Sequence, residues 1–147
     1  MEDKQTLIII RGIPGSGKST YAETLKKDLW EEGYDVERFE ADDFWIDDNG
    51  DYIFRPELLG LAHRECWRRT FEAFDHGLDY AIVSNTFTTA KEMEPYLKEA
   101  ETRGLNVVVY RMDNEFGSIH GVPAKTIESM KARFVDYPGE IKIKKRI

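Results

Sequence analysis

Gly12-Ile13-Pro14-Gly15-Ser16-Gly17-Lys18-Ser19 follows directly on the apolar run Leu7-Ile8-Ile9-Ile10. The octet satisfies the spacing G-x-x-x-x-G-K-[ST], whose backbone N–H groups turn inward around the phosphates of a nucleoside triphosphate. In that arrangement Lys18 reaches the β- and γ-phosphates and the Ser19 hydroxyl holds Mg²⁺. Gly12, Gly15 and Gly17 are needed because side chains there would block the phosphates or the backbone angles. Pro14, Ser16 and Thr20 complete the expected nucleotide contact, with ATP the expected ligand. The context agrees with the motif. A strand-like run precedes it, and Tyr21, Ala22, Leu25 and Leu29 recur at helical spacing across residues 18–32. The competing reading is an ordinary glycine-rich turn between a strand and a helix.

Outward from this loop, strands and helices alternate. Thr6 to Arg11 reads as the first strand, and the helix after the loop stops near Gly33. Val36 to Ala41 reads as a second strand, followed by Asp42-Asp43. Asn49-Gly50, between Phe44-Trp45-Ile46 and Tyr52-Ile53-Phe54, predicts a small hairpin outside the main sheet. The acidic residues around it resemble a calcium loop only superficially. With Gly50 as the sixth position, Trp45 falls in the first ligand slot. Pro56 opens a helix over residues 57–76 whose stripe Leu59, Ala62, Cys66, Trp67, Phe71 and Phe74 predicts a buried face. Tyr80 to Ser84 and Asn106 to Tyr110 read as further strands, with a helix over Glu92 to Arg103 between them. A polar stretch around residues 113–122 suits a lid, Pro123 to Phe134 a last helix, and Ile141 to Ile147 an edge strand. The pattern predicts an α/β chain in three layers: a parallel P-loop NTPase sheet of about five strands with helices on both faces.

At 147 residues the chain suits a single domain, 1–147, with one core. No apolar stretch approaches a membrane span, and the first residues lack signal-peptide character, so a cytoplasmic protein is expected. Cys66 is the only cysteine, which excludes an internal disulfide. The net charge of −7 argues against broad, non-specific binding to nucleic acid, which depends on neutralising phosphates. Arg64, Arg68 and Arg69 and the basic end Lys142 to Arg146 leave a local basic groove open; solvated charge explains both clusters equally well.

Ligands of open parallel sheets bind at the carboxyl ends of the strands, so the residues there are the candidate chemistry. Asp42, one strand end away from the loop, is the candidate general base that takes a proton from an acceptor hydroxyl, and a candidate Mg²⁺ ligand with Ser19. Asp43 is its alternative, and either carboxylate could simply end the strand. Asn85 and Thr86, after the third strand, could orient an acceptor or a metal-bound water, or form a polar turn. Arg111, past the fourth strand, is the first candidate for the cation that stabilises the transferred group, with Lys125, Lys131 and Arg133 as others.

Together, Gly12 to Thr20, Ala41-Asp42-Asp43-Phe44, Ile82 to Thr86 and His120-Gly121-Val122-Pro123 with Ile127 and Met130 resemble the P-loop kinases of the polynucleotide 5′-hydroxyl kinase type and their small ATP-binding relatives. The resemblance implies that Asp42 acts as base on a 5′-hydroxyl and that a lid arginine steadies the phosphoryl group. The stretch Asn114 to His120 holds no arginine. Trp45 stands where the family often has an acceptor-gripping arginine, with Arg55 the nearest alternative. Asn85 replaces the family's aspartate near strand three. These departures favour a less charged acceptor, or one whose base stacks on Phe44 and Trp45. The expected activity is Mg²⁺-dependent transfer of the ATP γ-phosphoryl group to a hydroxyl of a nucleic acid, nucleotide or nucleoside. A regulatory ATPase without an acceptor and a small-metabolite kinase are the alternatives.

Overall fold

The computed structural model describes residues 5–114 and 122–144. Five strands, β1 (Thr6–Arg11), β2 (Val36–Phe39), β3 (Tyr80–Asn85), β4 (Asn106–Met112) and β5 (Ile141–Ile143), form one sheet in the order β2-β3-β1-β4-β5. Every pairing is parallel, with Ile8 opposite Ile82 on one side and Val108 on the other. This is the P-loop NTPase fold in three layers.

The central position of β1 explains its composition. Alternate residues of a strand face opposite sides, so a strand covered on both faces must be apolar throughout. Leu7 and Ile9 pack with Phe71, Phe74 and Met93 from α2 (Leu59–Asp75) and α3 (Ala90–Arg103). Ile8 and Ile10 pack on the opposite face with Ala22, Leu25 and Leu29 of α1 (Lys18–Glu31). The last helix, α4 (Ala124–Arg133), ends in Phe134. α3 begins with a reciprocal cap: Thr89 accepts from the Glu92 N–H, and the Glu92 carboxylate accepts from the Thr89 N–H.

Several boundaries differ from expectation. β2 stops at Phe39, because Glu40 opens a 3-10 turn over Ala41–Trp45 in which the Glu40 and Asp43 side chains cap each other's backbone. A second 3-10 turn, Pro56–Leu58, precedes α2. Leu59 is consequently the first residue of the α2 cylinder and is 45% exposed, outside the buried stripe. The hairpin is reduced to one antiparallel bridge, Ile46 with Tyr52, closed by the turn at Gly50. Most of the expected lid segment, and with it His120-Gly121, lies outside the described residues. Among the described residues no helix is long and apolar enough to cross a membrane.

Candidate active site

The loop between β1 and α1 takes a shape that depends on its glycines. Gly15 and Gly17 have φ of 81° and 94°, values that side chains resist. A Cβ on Gly12 would stand 2.4 Å from Ser16 Oγ and 3.0 Å from the Met112 carbonyl, so the turn closes only around a bare α-carbon. Ser16 is buried, and among the described residues its hydroxyl has no hydrogen-bond partner. The Lys18 ammonium folds over the loop and donates to the carbonyls of Gly12 at 2.8 Å and Ile13 at 3.0 Å. Burial lowers its pKa to about 8, against the upward pull of Glu40 and then Asp42. Ser19 is exposed on the first turn of α1, at the positive end of the helix dipole. A narrow glycine cradle, an orphaned hydroxyl and a desolvated lysine fit a polyphosphate. Ser19 and Asp42 offer the hard oxygen donors that Mg²⁺ takes.

Below the loop lies a buried ionic knot. Arg11 is fully buried, and its Nε and Nη2 donate to the carbonyls of Phe87 at 2.9 Å and Thr88 at 3.2 Å. Its Nη1 pairs with Glu140 at 2.7 Å. Glu140 also accepts from Arg111, and both guanidinium groups lie against the Phe134 ring, 4.3 and 4.6 Å from its centre. Phe87 has a positive φ of 44°, uncommon for a bulky residue, and is held there by its buried ring and the Arg11 bond. The Gly12 N–H donates to the Thr86 carbonyl at 3.1 Å, which ties the start of the loop to the same segment.

The expected acceptor residues divide into two groups. Asp42 is half-buried in the 3-10 turn after β2, and its charge is felt at Lys18, Tyr52 and His63. Phe44 is half-buried beside it. Asp43 caps its own turn and lies 3.7 Å from Arg69. Asn85 is buried, and its Oδ1 accepts from the Ala41 N–H at 2.9 Å, fixing the residue before Asp42. Trp45 is 3% exposed, edge-on to Phe44 and Phe54 in the core. Arg55 lines a small cleft of about 190 Å³ with Phe44, Trp45, Asp47, Ile53 and Leu58. Arg111 meets Asp113, Asp136 and Glu140. It lines a larger cleft of about 420 Å³ with Ile13, Asn114, Lys131, Phe134 and Lys144, beside the phosphate loop.

Sequence reasoning passed over three groups that share the field of Asp42, namely Glu40, Tyr52 and His63, and a fourth, Glu92, that acts on His63. Glu40 is bonded to Arg38 at 3.0 Å, and burial followed by the Asp43 charge pushes its carboxyl pKa upward. Tyr52 lies within the field of Asp42 and Glu40. Burial pushes the His63 pKa down, against the pull of Glu92 and Asp42. Glu92, at the start of α3, accepts from the Thr88 hydroxyl. Only the expected hairpin around Tyr52 carried a sequence signal for any of them.

A family model described as chromatin associated protein KTI12 matches residues 6–57. The uncharacterized protein PM0531 of Pasteurella multocida is 30% identical over 141 residues, covering 91% of this chain and 79% of that protein. Human NEDD4-binding protein 2 is 34% identical over 144 residues, covering 90% of this chain but only 8% of that protein's length. Among solved structures, Mycobacterium tuberculosis APS kinase CysC in complex with AMPPNP and APS superposes with a TM-score of 0.60 at 18% identity. That superposition covers 87% of this chain and 69% of the kinase. The Pnkp1/Rnl/Hen1 complex contains a chain with a TM-score of 0.56 at 18% identity, covering 88% of this chain and 40% of that one.

Proposed function

We propose that this chain, which belongs to one family with PM0531 and has the fold of P-loop kinases, is an ATP-dependent phosphotransferase. It moves the γ-phosphoryl group to a hydroxyl of a nucleic acid end, a nucleotide or a nucleoside, with Mg²⁺ held by Ser19 and Asp42. The observation that carries this reading is that Asp42, in the 3-10 turn after β2, stands near enough to the phosphate loop for its charge to act on Lys18. A hydroxyl entering between them has a proton acceptor on one side and the phosphate site on the other.

In this reading the loop from Gly12 to Thr20 binds the triphosphate, and Lys18 leaves its carbonyl partners for phosphate oxygens. The cleft bordered by Arg111, Asn114 and Phe134 has room for the nucleoside half of ATP. Mg²⁺ supplies charge neutralisation on the phosphate oxygens when bound. Asn85 acts through the Ala41 N–H, holding the turn that aims Asp42, and Thr86 anchors Gly12. The exposed aromatic Tyr52, within the field of Asp42, suits a base-bearing acceptor.

The test is incubation with γ-labelled ATP and a panel of 5′-hydroxyl DNA, RNA and nucleosides. Label should appear on at least one acceptor, and Asp42→Asn should reduce transfer by about 10²- to 10⁴-fold with AMPPNP binding unchanged. ATP hydrolysis with every acceptor unlabelled would overturn the reading. A regulatory ATPase is the second reading. It is favoured by the internal engagement of Asp43, Trp45 and Asn85, which leaves few side chains to grip an acceptor.

A further inference from the structure

One side chain of the cleft beside the phosphate loop has no part in phosphate chemistry. Asn114 is 7% exposed, and its Nδ2 has no hydrogen-bond partner among the described residues. Its Oδ1 accepts no hydrogen bond among them either. A buried amide left unpaired lowers stability, and native folds seldom keep one without a partner from outside the chain.

The fold sets this amide next to the phosphate loop. Asn114 is the second residue beyond β4, the strand that pairs with β1. Met112, the last residue of β4, is pressed against the loop, since a Cβ on Gly12 would stand 3.0 Å from its carbonyl. The Asp113 N–H donates to the Ile143 carbonyl at 2.8 Å, and the Asp113 carboxylate pairs with Arg111 at 3.4 Å, which fixes the residue before Asn114. Asn114 and Ile13 then line the same cleft of about 420 Å³. A nucleotide whose phosphates lie on residues 12–19 extends its base toward this cleft. Of the described polar side chains that line it, Arg111, Asp113, Lys131 and Lys144 are charged, and Asn114 is the neutral one. A neutral amide suits the uncharged edge of a base.

A carboxamide presents a donor and an acceptor side by side in one plane. Adenine presents their complement on one edge, the acceptor nitrogen at ring position 7 beside the 6-amino donor. Guanine presents two acceptors on that edge, so its 6-oxo oxygen would face the amide oxygen. We propose that Asn114 is the specificity-determining residue for the nucleotide. Its Nδ2 donates to the position-7 nitrogen of adenine and its Oδ1 accepts from the 6-amino group, so the site takes adenine nucleotides in preference to guanine nucleotides. This rests on the phosphotransferase reading above. The last torsion of an asparagine side chain is soft, so the amide can turn to meet the base. The base supplies the hydrogen bonds that the fold leaves unmade.

The experiment measures binding, not turnover, by calorimetry on the full chain with Mg²⁺. The probes are ADP, GDP and 7-deaza-ADP, in which a C–H group replaces the position-7 nitrogen. ADP should bind about 5- to 150-fold more tightly than GDP, the range of one bidentate amide–adenine pair. The 7-deaza compound should bind about 3- to 10-fold more weakly than ADP. Asn114→Leu, of similar size, should bring all three nucleotides within about threefold of one another. It should also leave the melting temperature of the nucleotide-free protein unchanged or raise it, because it removes an unpaired buried donor. A fall in that temperature with the ADP–GDP ratio unchanged would assign Asn114 to the fold and overturn the proposal. ADP and GDP affinities within about threefold in the unsubstituted protein would also overturn it, with the phosphotransferase reading left standing. If no nucleotide binds, both readings fall. Should Asn114→Leu not fold, 7-deaza-ADP decides with the unsubstituted protein, where affinity equal to that of ADP overturns the proposal.

Discussion

The two sides of the proposed phosphoryl path are constructed differently. The donor side is one contiguous stretch, residues 12–19, whose working groups are largely main-chain N–H donors shaped by glycine. The acceptor side gathers side chains from separated segments: Asp42 from the turn after β2, Tyr52 from the hairpin, His63 from α2. Backbone recognition needs a fixed order of residues in the chain. Side-chain recognition needs only that distant segments converge, and it leaves no spacing to read.

The largest expected effect would break this contrast from below. Arg11 shows that even the contiguous side rests on remote partners, since Glu140 is 129 residues away. Arg11→Met leaves the Glu140 carboxylate buried with the long Arg111 contact and the Tyr137 N–H as partners and should cost about 3–5 kcal/mol, read as a lower midpoint in denaturant unfolding. Lys18→Met would sharpen the contrast. It removes the main side-chain cation of a site otherwise built of backbone and should lower turnover by about 10²- to 10³-fold, with little change in melting temperature. Gly12→Ala tests the backbone cradle itself. The overlap with Ser16 and Met112 should destabilise the fold by about 1–3 kcal/mol and weaken AMPPNP binding in calorimetry.

The smallest effect is linked to pH. Lys18 has a pKa lowered from 10.5 to about 8, so between those values the unfolded chain binds more protons than the folded one. The cost of burying this charge is therefore fully present below pH 8 and is relieved as pH rises toward 10.5. Phosphate binding favours the charged form, so nucleotide affinity should fall as pH rises above 8, with proton uptake on binding. Calorimetry near pH 8.5 in two buffers of different ionisation enthalpy would detect the uptake, and Lys18→Met should abolish it.

The same contrast explains what was legible in the sequence. β1 and the shape of the loop after it were readable to the residue, because burial on both faces demands an unbroken apolar run and the loop's positive-φ turns demand glycine. The alternation of elements was readable and with it the sheet. The end of β2 was not, because the exchange of caps between Glu40 and Asp43 is a local bond with no periodicity. Trp45 reads from its neighbours as an acceptor platform, but its ring lies in the core, and only the tertiary packing of the 3-10 turn against α2 decides that. Glu40 is two residues from Asp42 but carries no motif, and His63 stands on a helix surface where an imidazole is ordinarily solvated; only the fold brings it within the field of Asp42.

The sheet order has a consequence for synthesis. β1 forms no ladder with its neighbour in the chain; its partners are β3 and β4, and the floor beneath its loop is completed by Glu140. At about 5–20 residues per second, the 129 residues from Arg11 to Glu140 take roughly 6 to 26 s to translate. During that interval the apolar strand must wait first for β3 and then for β4, and Arg11 beneath the glycine loop is without Glu140 until the end. The part of the chain most legible in the sequence is thus among the last to be completed in the fold, and contacts of such long range place this chain among the slower folders of its size.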